Sequence, residues 1–332
     1  MDQVSVPLDH VEQATRHALR RHGATEEIAG HVARAVRVAE AKDNKICGLY
    51  YLESYCKQLE SGRVLGAVAP EVSTPRPGTV RVDAKFGFAQ SAFAAGFDTA
   101  VAAAKLNGTA GFAIEHSHTC TSLGYFTEQL AEAGLIALGF TNSSARVAPP
   151  SGTKRLLGTN PLAMAVPARN GGIAFQFDFS TSAIALGKIT MAAAAGEDIP
   201  LGWAVDVDGN DTTDPNAALE GSMLSAGGYK GYGLGLMVEV LAAALTASTM
   251  SVDIAPLKTP DGPYHDIGQF YLLIDPASYS GDGFWDTIDA LAAQLEDQPD
   301  ARLPGTGRSL PDVVVVDAAV WDSTLALTGG NI

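Results

Sequence analysis

The chain has 332 residues, 46% of them hydrophobic and 18% charged, which supports two or three lobes with their own cores and excludes a disordered chain. A formal net charge of -15 sets the surface against nucleic acid and anionic membrane, so neither is expected as a partner; a local basic pocket for a phosphate stays compatible with it. Residues 1–9 lack a basic stretch followed by an apolar run, no uncharged apolar stretch reaches eighteen residues, and the three cysteines, Cys47, Cys56 and Cys120, have neither disulfide-framework count nor zinc-knuckle spacing; the expectation is a cytoplasmic protein without a metal site.

The first eighty residues read as helical. Asp9 with Glu12 resembles a capping box ahead of the apolar stripe Val11, Ala14, Ala18 and Leu19, and Gly23 ends that helix. Thr25 caps a second helix running to about Ala41, and Leu49, Leu52, Cys56 and Leu59 share one face of a third, stopped by Gly62. After Pro75 and Pro77 the texture changes: a short strand at 80–83, an Ala-rich helix at 89–105, and buried strands at 111–115 and 136–141 around a helix at 123–133. Strands at 162–166 and 173–177 are joined by the turn Arg169-Asn170-Gly171-Gly172, which predicts antiparallel pairing. Helices at 183–195, 231–247 and 284–295 and strands at 269–274 and 313–316 complete the pattern. The boundaries fall near residue 78 and in the proline-rich loop 253–263. They define an N-terminal helical lobe (1–78), an α/β core (79–252) and a C-terminal α/β segment (253–332) packing back on the core.

Three segments carry polar groups where chemistry belongs. Gly231, Gly233 and Gly235 follow Lys230 but lack the strand that a G-x-G-x-x-G fingerprint requires; close helix packing explains them, as does an anion facing Lys230 and the helix N-terminus. Gly158-Thr159-Asn160-Pro161 is either a turn or the polar rim of a ligand site. Asp178, followed by Ser180, Thr181 and Ser182, lies where a strand gives way to a helix, so the hydroxyls serve either as caps or as an anion site.

Together with Val82-Asp83-Ala84, Thr141-Asn142-Ser143, Ala148-Pro149-Pro150-Ser151-Gly152, Gly187-Lys188-Ile189, Gly202-Trp203-Ala204 and Thr212-Thr213-Asp214-Pro215, these segments occur in the order and spacing of the malate/L-lactate dehydrogenase-like family, which the chain resembles over nearly its whole length. The resemblance implies a mixed α/β fold with a largely antiparallel central sheet and flanking helices, not a Rossmann fold. It implies NADH or NADPH as cofactor, a 2-oxo acid, cyclic imine or related small molecule as substrate, and a homodimer. By position it puts Ser143, Asp178, Ser180, Ser182, Lys230 and Gly231 on or near the cofactor, Gly305 and Arg308 at its far end, and Thr159 and Asn160 beside the nicotinamide.

The departures concern catalysis. The family's Ser-His-Gly-Val-x-Arg-Leu reads Ile46-Cys47-Gly48-Leu49-Tyr50-Tyr51-Leu52, so Cys47 stands at the catalytic His position and Tyr51 at the substrate Arg position. Its Ser-x-His-x-Gly run reads Ser117-His118-Thr119-Cys120-Thr121, with His118 displaced by one. Carbonyl reduction needs a proton donor, and a carboxylate is best held by a cation; Cys and Tyr suit these tasks poorly. Three readings follow. In the first, an NAD(P)H-dependent reductase acts on an electrophile that arrives protonated, with His116, His118 or Tyr51 in place of the lost groups and Asp178 retained. In the second, a non-redox lyase, cyclase or transferase uses Cys47 or Cys120, activated by Lys45 or His118. The third is an inactive binding protein. The bland account of both thiols is that small side chains filled vacated space.

Overall fold

The computed structural model describes residues 2–296, 298, 301–306 and 310–330. In chain order the elements begin with β1 (Gln3–Pro7), α1 (Leu8–Arg21), α2 (Glu26–Ala41), α3 (Leu52–Ser61), β2 (Glu71–Arg76), β3 (Thr79–Asp83), α4 (Ala89–Asn107) and β4 (Thr109–Ser117). Next come α5 (Gly124–Glu132), β5 (Ile136–Thr141), β6 (Leu162–Pro167), β7 (Ile173–Phe179), α6 (Leu186–Ala195), β8 (Ala204–Val205), α7 (Pro215–Glu220) and β9 (Ser222–Met223). The chain closes with α8 (Tyr229–Glu239), β10 (Ile267–Ile274), α9 (Asp282–Glu296), β11 (Val313–Asp317) and α10 (Ala318–Thr328).

The N-terminal lobe is helical but closed by a strand pair. β1 runs straight into α1, pairing Val4 with Val316 and Val6 with Val314 of β11, and the Leu8 N–H donates to the Asp312 carbonyl at 2.9 Å. That pairing displaces the expected capping box. Asp9 and Glu12 instead face Arg37 of α2 at 3.2 and 3.5 Å, while Thr25 caps α2 as expected, accepting from the Ile28 N–H. Val11, Leu19, Val32, Leu52 and Tyr55 form the lobe's core together with Val314 and Val316 from the far end of the chain. Each fully buried aliphatic side chain there contributes about 1.5–3 kcal/mol.

The central sheet has seven strands in the order β2-β3-β4-β10-β5-β6-β7, antiparallel throughout except for the β3–β4 pair. It is thus the mixed, largely antiparallel sheet expected, with no doubly wound dinucleotide unit among the described residues. β2 begins the sheet inside the stretch that reads as helical; all six of its residues are exposed and it contains Pro75, as suits an edge strand. β10, from the C-terminal third, is the middle strand. α4 and α5 cover one face, burying Phe93, Phe112, Phe126 and Tyr271 in an aromatic cluster, and α8 covers part of the other against Phe140 and Phe270. A third, small core of Val147, Leu157, Ile189, Ile199 and Met223 joins α6, α7 and the β8–β9 pair. The predicted helix at 231–247 starts at Tyr229 and changes to a π-helical turn at Val240–Ala244. There the backbone of Gly268 abuts the Ala242 carbonyl so closely that a Cβ would lie 1.8 Å from it.

Candidate active site

Asp178 is the last residue but one of β7, beside the first turn of α5. The Gly124 N–H donates to its Oδ2 at 2.8 Å, and residue 124 must be small because a Cβ there would stand 3.1 Å from the Asp178 Cβ. Asp178 is open to the cleft, but its carboxylate is tucked against α5. Burial pushes the carboxyl up to about 6, against the pull of the Gly124 and Leu123 amides; Glu128 adds to the rise and Lys42, itself paired with Glu128, opposes it. Cys47 closes the 3-10 turn Lys45–Cys47 opposite. Burial, then the Asp178 charge, push its thiol up to about 12, while Asn44 and Lys258 act in the other direction. Cys120 is fully enclosed, and burial with the charges of Asp178 and Cys47 lifts its thiol further. Tyr51 is buried and donates its hydroxyl to the Leu257 carbonyl at 3.0 Å.

Cys47, Cys120, Tyr51 and Asp178 are therefore neighbours, but the expected activation of the thiols is not there. Lys45 faces Asp43 at 3.6 Å. His118 lies in a second, fully buried cluster: its Nε2 is 2.6 Å from Gln58 Oε1 and its ring stacks on His265, to which the sequence assigned no role. Since the Gln58 amide nitrogen donates to the Leu257 and Thr259 carbonyls, Gln58 Oε1 accepts and His118 carries its proton on Nε2. Burial, with His265 and Arg63 adding to it, holds the His118 pKa well below the usual imidazole value. His116 is engaged with Asp83 at 3.0 Å. Among the described residues, no imidazole acts on Cys47 or Asp178.

The segments singled out for the cofactor converge. Ser143 Oγ accepts from the Thr159 N–H at 3.2 Å, Thr181 donates to the Thr159 and Asn160 carbonyls, Ser182 bonds Ser180 at 3.0 Å, and the Ala226 N–H donates to the Thr181 carbonyl. Gly231 and Gly235 serve close packing, against Ala226 and against Leu157 and Thr181, whereas Lys230 projects from the exposed first turn of α8. Asn160 is fully buried, its amide donating to the Gly235 carbonyl and to Glu239 at 2.8 Å, so it holds the scaffold beneath the cleft. Gly305, at φ 76°, packs on Gln176, whose N–H donates to the Pro304 carbonyl; Arg308 lies outside the described residues.

A cavity of about 800 Å3 extends from Gly305 along Gln176 and Asp178 to Asn44 and Ser122. Gln176, which sequence reasoning missed, leaves its Oε1 buried in that wall without a hydrogen-bond partner among the described residues. Its only sequence signal is its two-residue offset from Asp178, which puts both on one face of β7. A buried acceptor left open in a polar cleft of this size fits a nicotinamide dinucleotide, which Gln176, Asp178 and Gly305 would hold.

A largely antiparallel sheet with such a cleft along its edge strand, bordered by a carboxyl held against α5, defines a nicotinamide-dependent oxidoreductase that dispenses with the Rossmann unit. The chain belongs to the malate/L-lactate dehydrogenase family, whose profile matches residues 6–310. It is 39% identical over 303 residues to a (2R)-3-sulfolactate dehydrogenase (NADP(+)) of Chromohalobacter salexigens, covering 91% of this chain and 90% of that one. It is 38% identical over 337 residues to a Δ1-pyrroline-2-carboxylate reductase of Ancylobacter novellus, covering 98% of each. The crystal structure of Δ1-piperideine-2-carboxylate reductase from Pseudomonas syringae superposes with a TM-score of 0.90 at 34% identity, over 98% of this chain and 99% of that one. The protein is an NAD(P)-dependent oxidoreductase. Among the described residues no helix is long and apolar enough to cross a membrane.

Proposed function

We propose that the protein reduces a cyclic imine bearing a carboxylate, the class named for several of its relatives, in preference to an open-chain 2-oxo acid. The observation that carries this reading is the Cys47–Asp178 site, where a thiol at about 12 faces a carboxyl at about 6 and, among the described residues, no imidazole acts on either. When bound, NADH or NADPH supplies the hydride. A carbonyl becomes an alkoxide and needs a proton as it forms; an imine takes its proton beforehand and needs a counter-charge instead. Above pH 6 Asp178 is that counter-charge. Cys47, neutral at any physiological pH, adds no competing charge and no nucleophile, which removes the support for a thiol-dependent, non-redox reaction.

The test compares nucleotide oxidation by the purified protein with Δ1-pyrroline-2-carboxylate and with pyruvate. The imine is expected to be reduced with the higher kcat/KM; equal or reversed preference overturns the reading. Either reduced nucleotide that serves is expected to raise Tm, by binding the folded state alone.

The working unit is a homodimer. Leu234, Leu236, Met237, Val240 and Leu245 of α8 and the turn after it, with Phe179 at the end of β7, leave an exposed apolar surface that a second copy would cover. Light scattering on the eluting protein tests it, a monomeric mass being the contrary result. The cytoplasm fits the three free cysteines.

A further inference from the structure

From the proline-rich loop between α8 and β10 we infer that Lys258 grips the carboxylate of the substrate, resting on the imine-carboxylate reading above. Its ammonium lies 4.0 Å from the centre of the Tyr50 ring and 5.5 Å from that of Tyr51, between two cavities that it helps to line. One of these, of about 570 Å3, is walled by Leu186, Met191 and Ile46, the residue that precedes Cys47.

Two independent features single this lysine out. The first is its lack of a counter-ion. The other lysines at these cavities are matched, Lys45 with Asp43 and Lys57 with Glu53, but among the described residues no carboxylate forms an ion pair with Lys258. Burial lowers its pKa and neighbouring Cys47 opposes that shift, which places the ammonium beside Cys47. In a chain of net charge -15, a cation beside Cys47 with no ion-pair partner among the described residues is what draws in an anion.

The second is the way its backbone is held. Gln58 donates to the carbonyls of both flanking residues, Leu257 and Thr259, at 2.8 Å, and Tyr51 adds a bond to Leu257. Arg63, fully buried, donates to the carbonyls of Pro256, Thr259 and Pro263. Lys258 itself is exposed, so these bonds fix where its backbone stands and leave the side chain free to meet a carboxylate there. Tyr51, whose ring stands below the ammonium and whose hydroxyl holds Leu257, thus positions the cation from a neighbouring loop and does not supply one itself.

The experiment titrates the protein with pyrrole-2-carboxylate, a flat ring acid that cannot be reduced by hydride, and with its neutral carboxamide. Lys258→Met is expected to weaken binding of the acid about tenfold or more and leave the amide unchanged, and Lys258→Arg to restore most of the acid's affinity. In turnover the Met variant is expected to raise KM for the imine carboxylate by a similar factor with a smaller change in kcat. Equal affinity of wild type and Lys258→Met for the acid, or no binding of the acid to wild type, overturns the assignment. The two readings fail separately. If wild type reduces no cyclic imine but its grip on the acid depends on Lys258, the proposed reaction falls and the clamp stands; if the imine is reduced equally well by Lys258→Met, the reverse holds.

Discussion

The rings of His118 and His265 lie stacked, their centroids 3.9 Å apart and their planes 17° from parallel, beneath the loop that carries Lys258. Both are buried, and the second nitrogen of each, Nδ1 of His118 and Nε2 of His265, has no hydrogen-bond partner among the described residues. The Thr119 N–H donates to His265 Nδ1, which binds that ring in its neutral form.

Stability should therefore fall on acidification. Burial, then the Arg63 charge, depress the His265 pKa from 6.5 to about 3, and His118 is lowered by burial, His265 and Arg63. The unfolded imidazoles take up protons as the pH drops through 6.5 and the folded ones do not, so stability present above 6.5 is lost below it. The slope is at most about 1.4 kcal/mol per pH unit for each ring. Asp178 has the opposite sign: its folded pKa is raised from 3.8 to about 6, so between those values it favours the folded state as the pH falls and offsets one of the two rings. Urea melts at pH 7 and pH 5 should show the loss, and a His118→Gln, His265→Gln double variant should show a flatter dependence. Parallel dependences in the two proteins would contradict the buried-neutral assignment.

Asp178 should set the pH dependence of turnover, with a sign that depends on the substrate. With a cyclic imine the ionised carboxylate is the working form, so kcat/KM should rise as the pH passes upward through about 6. With a 2-oxo acid the protonated form would have to donate, and the limb should fall through the same value. Asp178→Asn should lower kcat by about a hundredfold and erase the limb in both cases. An unchanged profile in that variant would remove Asp178 from the chemistry.

The thiols should prove inert. A Cys47 thiol pushed up to about 12 is ionised roughly a thousandfold less at neutral pH than an ordinary one. Iodoacetamide should label native Cys47 slowly and unfolded Cys47 readily. A Cys47→Ala, Cys120→Ala variant should keep kcat within about tenfold of wild type. Rapid labelling, or loss of all turnover in a variant that still binds nucleotide, would restore a nucleophilic role.

The sheet and most helices were legible because their signals are local: the Phe93–Phe97–Val101 spacing of α4, the Asn170-Gly171 turn between β6 and β7, Thr25 ahead of α2. β1 was not, because Val4 and Val6 alternate over only five residues and acquire their partners from β11, more than three hundred residues on. That pairing also removed the Asp9–Glu12 cap, a sound local signal overridden by a distant strand. In the site, the Cys47 and Tyr51 replacements were visible as departures from a motif. Lys258 was not, because a lysine in a proline-rich loop carries no pattern; its meaning comes from Gln58 and Arg63, two hundred residues away, which fix the loop.

Asn160 should matter more to stability than to chemistry. Its amide donates to Glu239 at 2.8 Å and to the Gly235 carbonyl at 3.1 Å, and the N–H and hydroxyl of Ser251 complete the shell around the same buried carboxylate at 2.6 Å each. Asn160→Ala strips one donor from that carboxylate and leaves the Gly235 carbonyl without it, at a cost of about 3 kcal/mol. Its backbone adds to the cost: Asn160 sits at φ 36°, where an Ala Cβ is strained by roughly 1 kcal/mol and Asn or Gly is not. Asn160→Gly should therefore unfold at lower denaturant than wild type but at higher denaturant than Asn160→Ala. Because the Asn160 and Thr159 carbonyls accept the Thr181 hydroxyl, both variants should also bind nucleotide more weakly while the pH limb set by Asp178 stays in place. A shift of that limb would mean that Asn160 reaches the reacting groups directly; a denaturation midpoint equal to wild type in Asn160→Ala would mean that the buried Glu239 shell is not worth what its geometry implies.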